Sequence, residues 1–146
     1  QEFMSKIPKQ EIQNKLKEIA YTNNEWNDEI PYYWQFGGLL SNPSQHISFL
    51  QKLVNKSLPF SKEAQNNLLN LLKISEKEGM KLYGMDAYTI YKGERVEWFI
   101  GFFEKFEKRY YFSTRTYFSI ENEFQKPDKQ QKFIITSEIF DALNLL

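Results

Sequence analysis

KLYGMDAYTIYKGERVEWFIGFFEKFEKRYYFSTRTYFS, residues 81–119, is the stretch on which the fold turns. Tyr, Val, Ile, Phe, Trp and Thr dominate it, and its apolar runs have the length of strands. Lys92, Gly93 and Glu94 read as the tip of a hairpin joining Leu82–Tyr91 to Val96–Phe103, and Lys105 to Lys108 turn the chain into Arg109–Phe118. Three consecutive antiparallel strands are predicted. The middle one is apolar on both faces, Val96, Trp98, Ile100 and Phe102 against Phe99 and Phe103. A strand with one wet face alternates polar and apolar residues, so this strand needs cover on both sides.

Helices on either flank of this stretch supply that cover. In Lys9 to Ala20 the residues Ile12, Leu16 and Ile19 recur at i, i+4 and i+7, an amphipathic helix that should stop near Tyr21. Asn23, Asn24, Asn27, Asp28 and Pro31 then favour a loop. Asn42 before Pro43 is an N-cap followed by proline at the first helical position, and Ile47, Leu50, Leu53 and Val54 continue as an apolar stripe. Leu58 and Pro59 end that helix, and Ser61 caps a third whose buried side is expected at Leu68, Leu71 and Leu72. Phe133, Ser137, Phe140 and Leu143 predict a closing helix over one face of the sheet, with the first-half helices over the other. Helices from about residue 9 to 72, then a three-stranded antiparallel sheet and a C-terminal helix, make an α+β fold. At 146 residues and 17.6 kDa the chain suits one domain, residues 1–146.

Composition removes several function classes. Nineteen basic residues balance nineteen acidic ones, which leaves no net field to attract nucleic acid or an acidic substrate. The absence of cysteine removes disulfides, thiolate nucleophiles and Cys-ligated metal sites, and no cofactor is expected. The longest apolar run, Trp98 to Phe103, is too short to cross a bilayer. Neither G-x-G-x-x-G nor G-x-x-x-x-G-K occurs, so nucleotide binding has no support. With His46 the only histidine, a Ser-His-Asp triad or a multi-histidine metal site is not expected, and His46 itself is read as facing solvent. The acidic pairs Asp28 with Glu29 and Glu94 with Glu97 are read as solvated loop and hairpin-edge residues.

The order of segments carries more. YYWQFGGLLSNPSQHISFL, with Trp34 and Gly37 in a W-x-x-G element, is followed by LPFSKEAQ, LYGMDAYTIYKGERVEWFIGF and RYYFSTR. This succession resembles the C-terminal half of the penicillin-recognising serine proteins, specifically class D β-lactamases and the extracellular domains of β-lactam-sensing receptors. In that family W-x-x-G precedes a helix, and a K-T-G strand is followed by a W-F-V-G-like strand and an aromatic-rich third strand. The likeness spans essentially the whole chain. It implies a partial β-lactamase-like domain that works outside the cytoplasm, with a β-lactam or peptidoglycan-like ligand.

The departures bear on activity. The family nucleophile is the serine of S-x-x-K, and none of the ten serines here has lysine three places on. The S-x-V or S-x-N motif would lie upstream of Gln1. Where K-T-G should follow Leu82, Tyr83 and Gly84, the chain reads Met85, Asp86 and Ala87, which lack the family's carboxylate-attracting charge and hydroxyl. Tyr21, Thr22 and Asn23 keep two residues of Y-G-N. The resemblance therefore implies a catalytically inactive relative with no catalytic residue in this chain. Its ligand-facing positions would be Trp34, Tyr83, Gly84, Met85, Asp86 and Ala87, with Lys129 in the place of a basic residue that assists carboxylate binding. The alternative is the C-terminal part of an active enzyme whose nucleophile lies upstream. In intact relatives two N-terminal strands complete the sheet, so a homo-oligomer or a complementing N-terminal segment is expected here. A start in mid-helix is what a fragment, a processed product or a truncated gene would give.

Overall fold

The computed structural model describes residues 6–21, 40–119 and 130–145. Its elements run α1 (Lys9–Glu18), α2 (Pro43–Val54), α3 (Lys62–Leu72), β1 (Lys73–Lys77), β2 (Met80–Tyr91), β3 (Glu94–Lys105), β4 (Lys108–Ser119) and α4 (Gln131–Ala142). The sheet is antiparallel in the order β1-β2-β3-β4.

The sheet thus has four strands, which corrects the expected three. The additional strand is β1, KISEK, whose one apolar residue, Ile74, sits among charges and gives no periodicity to read. Its existence rests on the turn at Glu78 and Gly79, both with positive φ. That is the two-residue geometry whose twist matches paired strands. The same backbone recurs at Lys92–Gly93, where a hairpin tip was expected, and at Phe106–Glu107, where neither residue is glycine.

Capping builds α2 as its sequence predicts. The Asn42 side chain accepts from the Gln45 backbone N–H at 3.0 Å, and Gln45 Oε1 accepts from the Asn42 N–H at 3.0 Å. Two backbone donors that the helix leaves unpaired are satisfied at once. Ser61 caps α3 by accepting from the Ala64 N–H at 3.1 Å. On α3 Leu72 is buried and Leu68 half-buried, but Leu71 is 82% exposed, so its place in the buried stripe is taken by others. The inward row is Gln65, Leu68, Leu69 and Leu72, at i, i+3, i+4 and i+7. Gln65, 2% exposed, donates to the carbonyls of Leu58 and Phe60 and accepts from the Leu58 N–H, which pins the α2–α3 connection.

Strand β3 is covered on both faces. On one, Ile19, Leu50, Leu53, Leu58 and Leu72 from the helices and their connections pack with Phe102. On the other, α4 sets Phe133 against Phe99 at 4.6 Å between ring centroids and Phe140 against Phe103 at 4.7 Å. Leu143, placed in the buried stripe of α4 by its spacing, is 61% exposed. The β3–β4 hairpin closes on Lys105 opposite Lys108, a hydrogen-bonded pair in a two-residue hairpin. Alternation from there directs the backbone N–H and C=O groups of Arg109, Tyr111, Ser113, Arg115 and Tyr117 away from β3. Among the described residues no strand pairs with that outer edge.

Candidate functional site

The residues expected to line a ligand wall lie mid-way along β2, and strand alternation divides them. Tyr83, Met85 and Ala87 belong to the α2–α3 face, and Gly84 and Asp86 to the α4 face. Tyr83 stacks on Phe102 at 4.6 Å. It also borders an open cavity of 440 Å³, shared with Asn66, Asn70 and Arg109 and lying toward the start of the strand. Met85 is 51% exposed and Ala87 exposed. Gly84 is buried opposite Gly101. Trp34 and Lys129 lie outside the described residues.

Asp86 reaches across to α4, where Lys132 Nζ lies 3.2 Å from Asp86 Oδ2 and 3.2 Å from Glu97 Oε2. Lys132 and Glu97 are 4% and 1% exposed. The second oxygen of Glu97 accepts from Arg95 Nε at 2.6 Å, and the Arg95 guanidinium lies 4.0 Å over the Tyr88 ring. Glu97 is therefore no solvated hairpin-edge residue, as the sequence reading had it. A buried carboxylate is tolerated because two cations hold it. The four groups, Arg95, Glu97, Lys132 and Asp86, sum to zero charge. Thr114 Oγ1 and Thr136 Oγ1 meet at 2.6 Å, and Thr136 also donates to the Lys132 carbonyl at 2.7 Å, which fixes α4 on the sheet.

On the opposite face, His46 corrects a second expectation. It is 3% exposed, not solvent-facing, with Nε2 2.7 Å from Ser41 Oγ and Nδ1 3.0 Å from Ser113 Oγ. One histidine suffices for a serine–histidine contact, and here it makes two. Trp98 meets the ring edge-on at 4.8 Å. Burial lowers the imidazole pKa to about 4, so the ring is neutral at pH 7 and serves as one donor and one acceptor. The Ser41 distance is that of a nucleophile and its base, but the group behind the ring is a hydroxyl and not a carboxylate. A neutral hydroxyl does little to stabilise an imidazolium, and the arrangement acts as a tie between α2 and β4. The signal was present in the sequence, because His46 precedes Leu50 and Leu53 by four and seven residues and so falls on their stripe.

Among the described residues no three or more His, Asp and Glu side chains converge to hold a metal, and no helix is long and apolar enough to cross a membrane.

An antiparallel sheet sandwiched by helices, with L-Y-G on β2 and W-F-I-G on β3, is a β-lactamase-like architecture, and the homologues of this chain are class D β-lactamases and a β-lactam sensor. The chain is 28% identical over 141 residues to the regulatory protein BlaR1 of Staphylococcus aureus, matching 96% of this chain and 23% of that protein. It is 28% identical to the β-lactamase OXA-1 of Escherichia coli, matching 99% of this chain and 55% of the enzyme. Among solved structures, the class D β-lactamase YbXI from Nostoc superposes with a TM-score of 0.82 at 26% identity, over 97% of this chain and 58% of that one. The C-terminal domain of the Bacillus licheniformis BlaR penicillin-receptor shares the fold, with a TM-score of 0.80 at 20% identity over 97% of this chain and 56% of that one. The chain thus spans about a quarter to just over half the length of these relatives. No family model matches it.

Proposed function

We propose that residues 1–146 form one partial domain of the class D β-lactamase or β-lactam-sensor type that is catalytically inactive and acts at most by binding a ligand or partner. The observation that carries this reading is the replacement on β2. Met85, Asp86 and Ala87 stand where K-T-G is expected, and the Asp86 carboxylate is engaged by Lys132. An anionic ligand approaching the middle of β2 meets the Asp86 carboxylate, whose ammonium partner Lys132 is already engaged, which disfavours it. No serine of the chain has the S-x-x-K lysine, so neither nucleophile nor base is supplied. Any remaining ligand surface would use Tyr83, Gly84, Met85, Asp86 and Ala87, with Trp34 and Lys129. The ligand class would be a β-lactam or a peptidoglycan-like peptide, met outside the cytoplasm. The outer edge of β4 would be covered by a second copy or by a complementing N-terminal segment.

Incubation with excess benzylpenicillin followed by intact-mass measurement and peptide mapping tests this reading. An unchanged mass is expected. A stoichiometric, serine-linked adduct would overturn it. A second reading, the C-terminal part of a working serine β-lactamase or transpeptidase with its nucleophile upstream, draws on the 55% coverage of OXA-1. An S-x-x-K encoded upstream in the same reading frame, with acylation of the longer protein, would favour it.

A further inference from the structure

We propose that Lys132 is the receptor of a carboxylate-binding site that the chain fills with its own Asp86, so that the native protein plugs its own anion site. This inference rests on the reading of β2 as a ligand wall. It is tested by stability and amide shifts and not by acylation, so the two fail separately.

Lys132 Nζ is deeply buried and lies between two carboxylates of unlike standing. Glu97 is 1% exposed and also held by Arg95, so it is a fixed part of the protein interior. The Asp86 side chain is 59% exposed and touches Lys132 with a single oxygen, so it is a partner that solvent can reach. Without Asp86 the buried group consists of two cations and one anion. A net positive charge beneath the middle of β2 recruits an anion or lowers stability. Beside it, Thr116 stands directly opposite Glu97 across the β3–β4 ladder, and its buried Oγ1 has no hydrogen-bond partner. Buried hydroxyls are nearly always paired, so this one is a spare donor across the ladder from Glu97. The next residue of β2 on the same face as Asp86, Tyr88, is exposed and leaves the approach open. Cation, spare hydroxyl and open approach together fit a small monocarboxylate or the terminal carboxylate of a peptide. Asp86 supplies that same chemistry from within.

The experiment compares the native chain with Asp86→Ala in thermal melts titrated with sodium acetate against sodium chloride at matched ionic strength. Acetate should raise the melting temperature of Asp86→Ala with saturation, as a ligand specific to the folded state does, and chloride should not. The native chain should respond to neither beyond the common salt effect. In Asp86→Ala, acetate should also move the amide resonances around Glu97 and Lys132, and the double variant Asp86→Ala/Lys132→Met should lose the response. Asp86→Ser keeps a small side chain without the charge and carries the test if the alanine variant folds poorly. Equal effects of acetate and chloride on both single variants, or an equal acetate response in the native chain, would overturn the proposal.

Discussion

Gly84 and Gly101 face each other across the β2–β3 ladder, and neither has room for a side chain. A Cβ on Gly101 would run into the carbonyl oxygen of Tyr83 and stand 2.7 Å from the Phe112 ring. One on Gly84 would stand 3.0 Å from the Ile100 carbonyl oxygen and 3.0 Å from the Phe99 ring. The aromatic layer beneath α4 closes over backbone at this point. Gly101→Ala is expected to cost about 3 kcal/mol and Gly84→Ala about 1 kcal/mol, because overpacking a tight core forces backbone and rings to shift. Urea unfolding of both variants checks the order, and a larger loss at Gly84 would contradict it.

His46 makes stability depend on acidity in one window. Its folded pKa of about 4 lies below the ordinary 6.5, so between these values the unfolded chain binds a proton that the folded chain does not. Stability from this group is whole above pH 6.5 and falls as the pH drops toward 4, by about 1.4 kcal/mol per unit and about 3 kcal/mol in all. His46→Gln should flatten the slope of unfolding free energy over that interval. An unchanged slope in the variant would place the acid sensitivity elsewhere.

The buried ion group ranks its members. Glu97→Ala leaves Lys132 buried with only the exposed Asp86 to balance it, and is expected to cost about 4 kcal/mol, the usual range for breaking a buried pair. Arg95→Ala leaves Glu97 still held by Lys132 and removes only a partly exposed cation, so it should cost less, about 1 kcal/mol. Denaturant midpoints of the two variants decide the ranking.

Phe106 and Glu107 occupy left-handed backbone at the β3–β4 turn, and Phe106 is 83% exposed. Phe106→Asn with Glu107→Gly gives up only the exposed contact of the ring with the Lys105 ammonium, 5.4 Å from its centroid. The pair suits that turn and should add about 1 kcal/mol. A lower melting temperature would mean that the aromatic ring contributes more than its exposure indicates.

Patterns local to a few residues were legible in the sequence, and partnerships over long separations were not. Asn42-Pro43 with Gln45 predicts its own helix start because the capping groups lie within one turn. The long strands and the turns between them announce themselves through β-branched and aromatic runs. The burial of Glu97 is invisible locally because the lysine that compensates it comes 35 residues later. His46 hides likewise, since its second serine, Ser113, lies 67 residues away. Strand β1 escapes notice because tertiary pairing, and not the composition of KISEK, makes it a strand. On the α4 side of β2, Asp86 was placed at the candidate site by its position after L-Y-G. Its ion partner Lys132 went unread, because side-chain reach between a strand and a later helix leaves no periodic trace.

The outer edge of β4 carries arginine and tyrosine at alternate outward backbone positions, and this pattern gives the edge a preference for register. Two such edges meeting antiparallel about Ser113 would set Arg109 against Tyr117 and Tyr111 against Arg115, cation beside ring on either side of a serine pair. Displaced by two residues, the same edges would oppose Arg109 to Arg115, like charge to like. The seam therefore discriminates among the ways in which it can be closed.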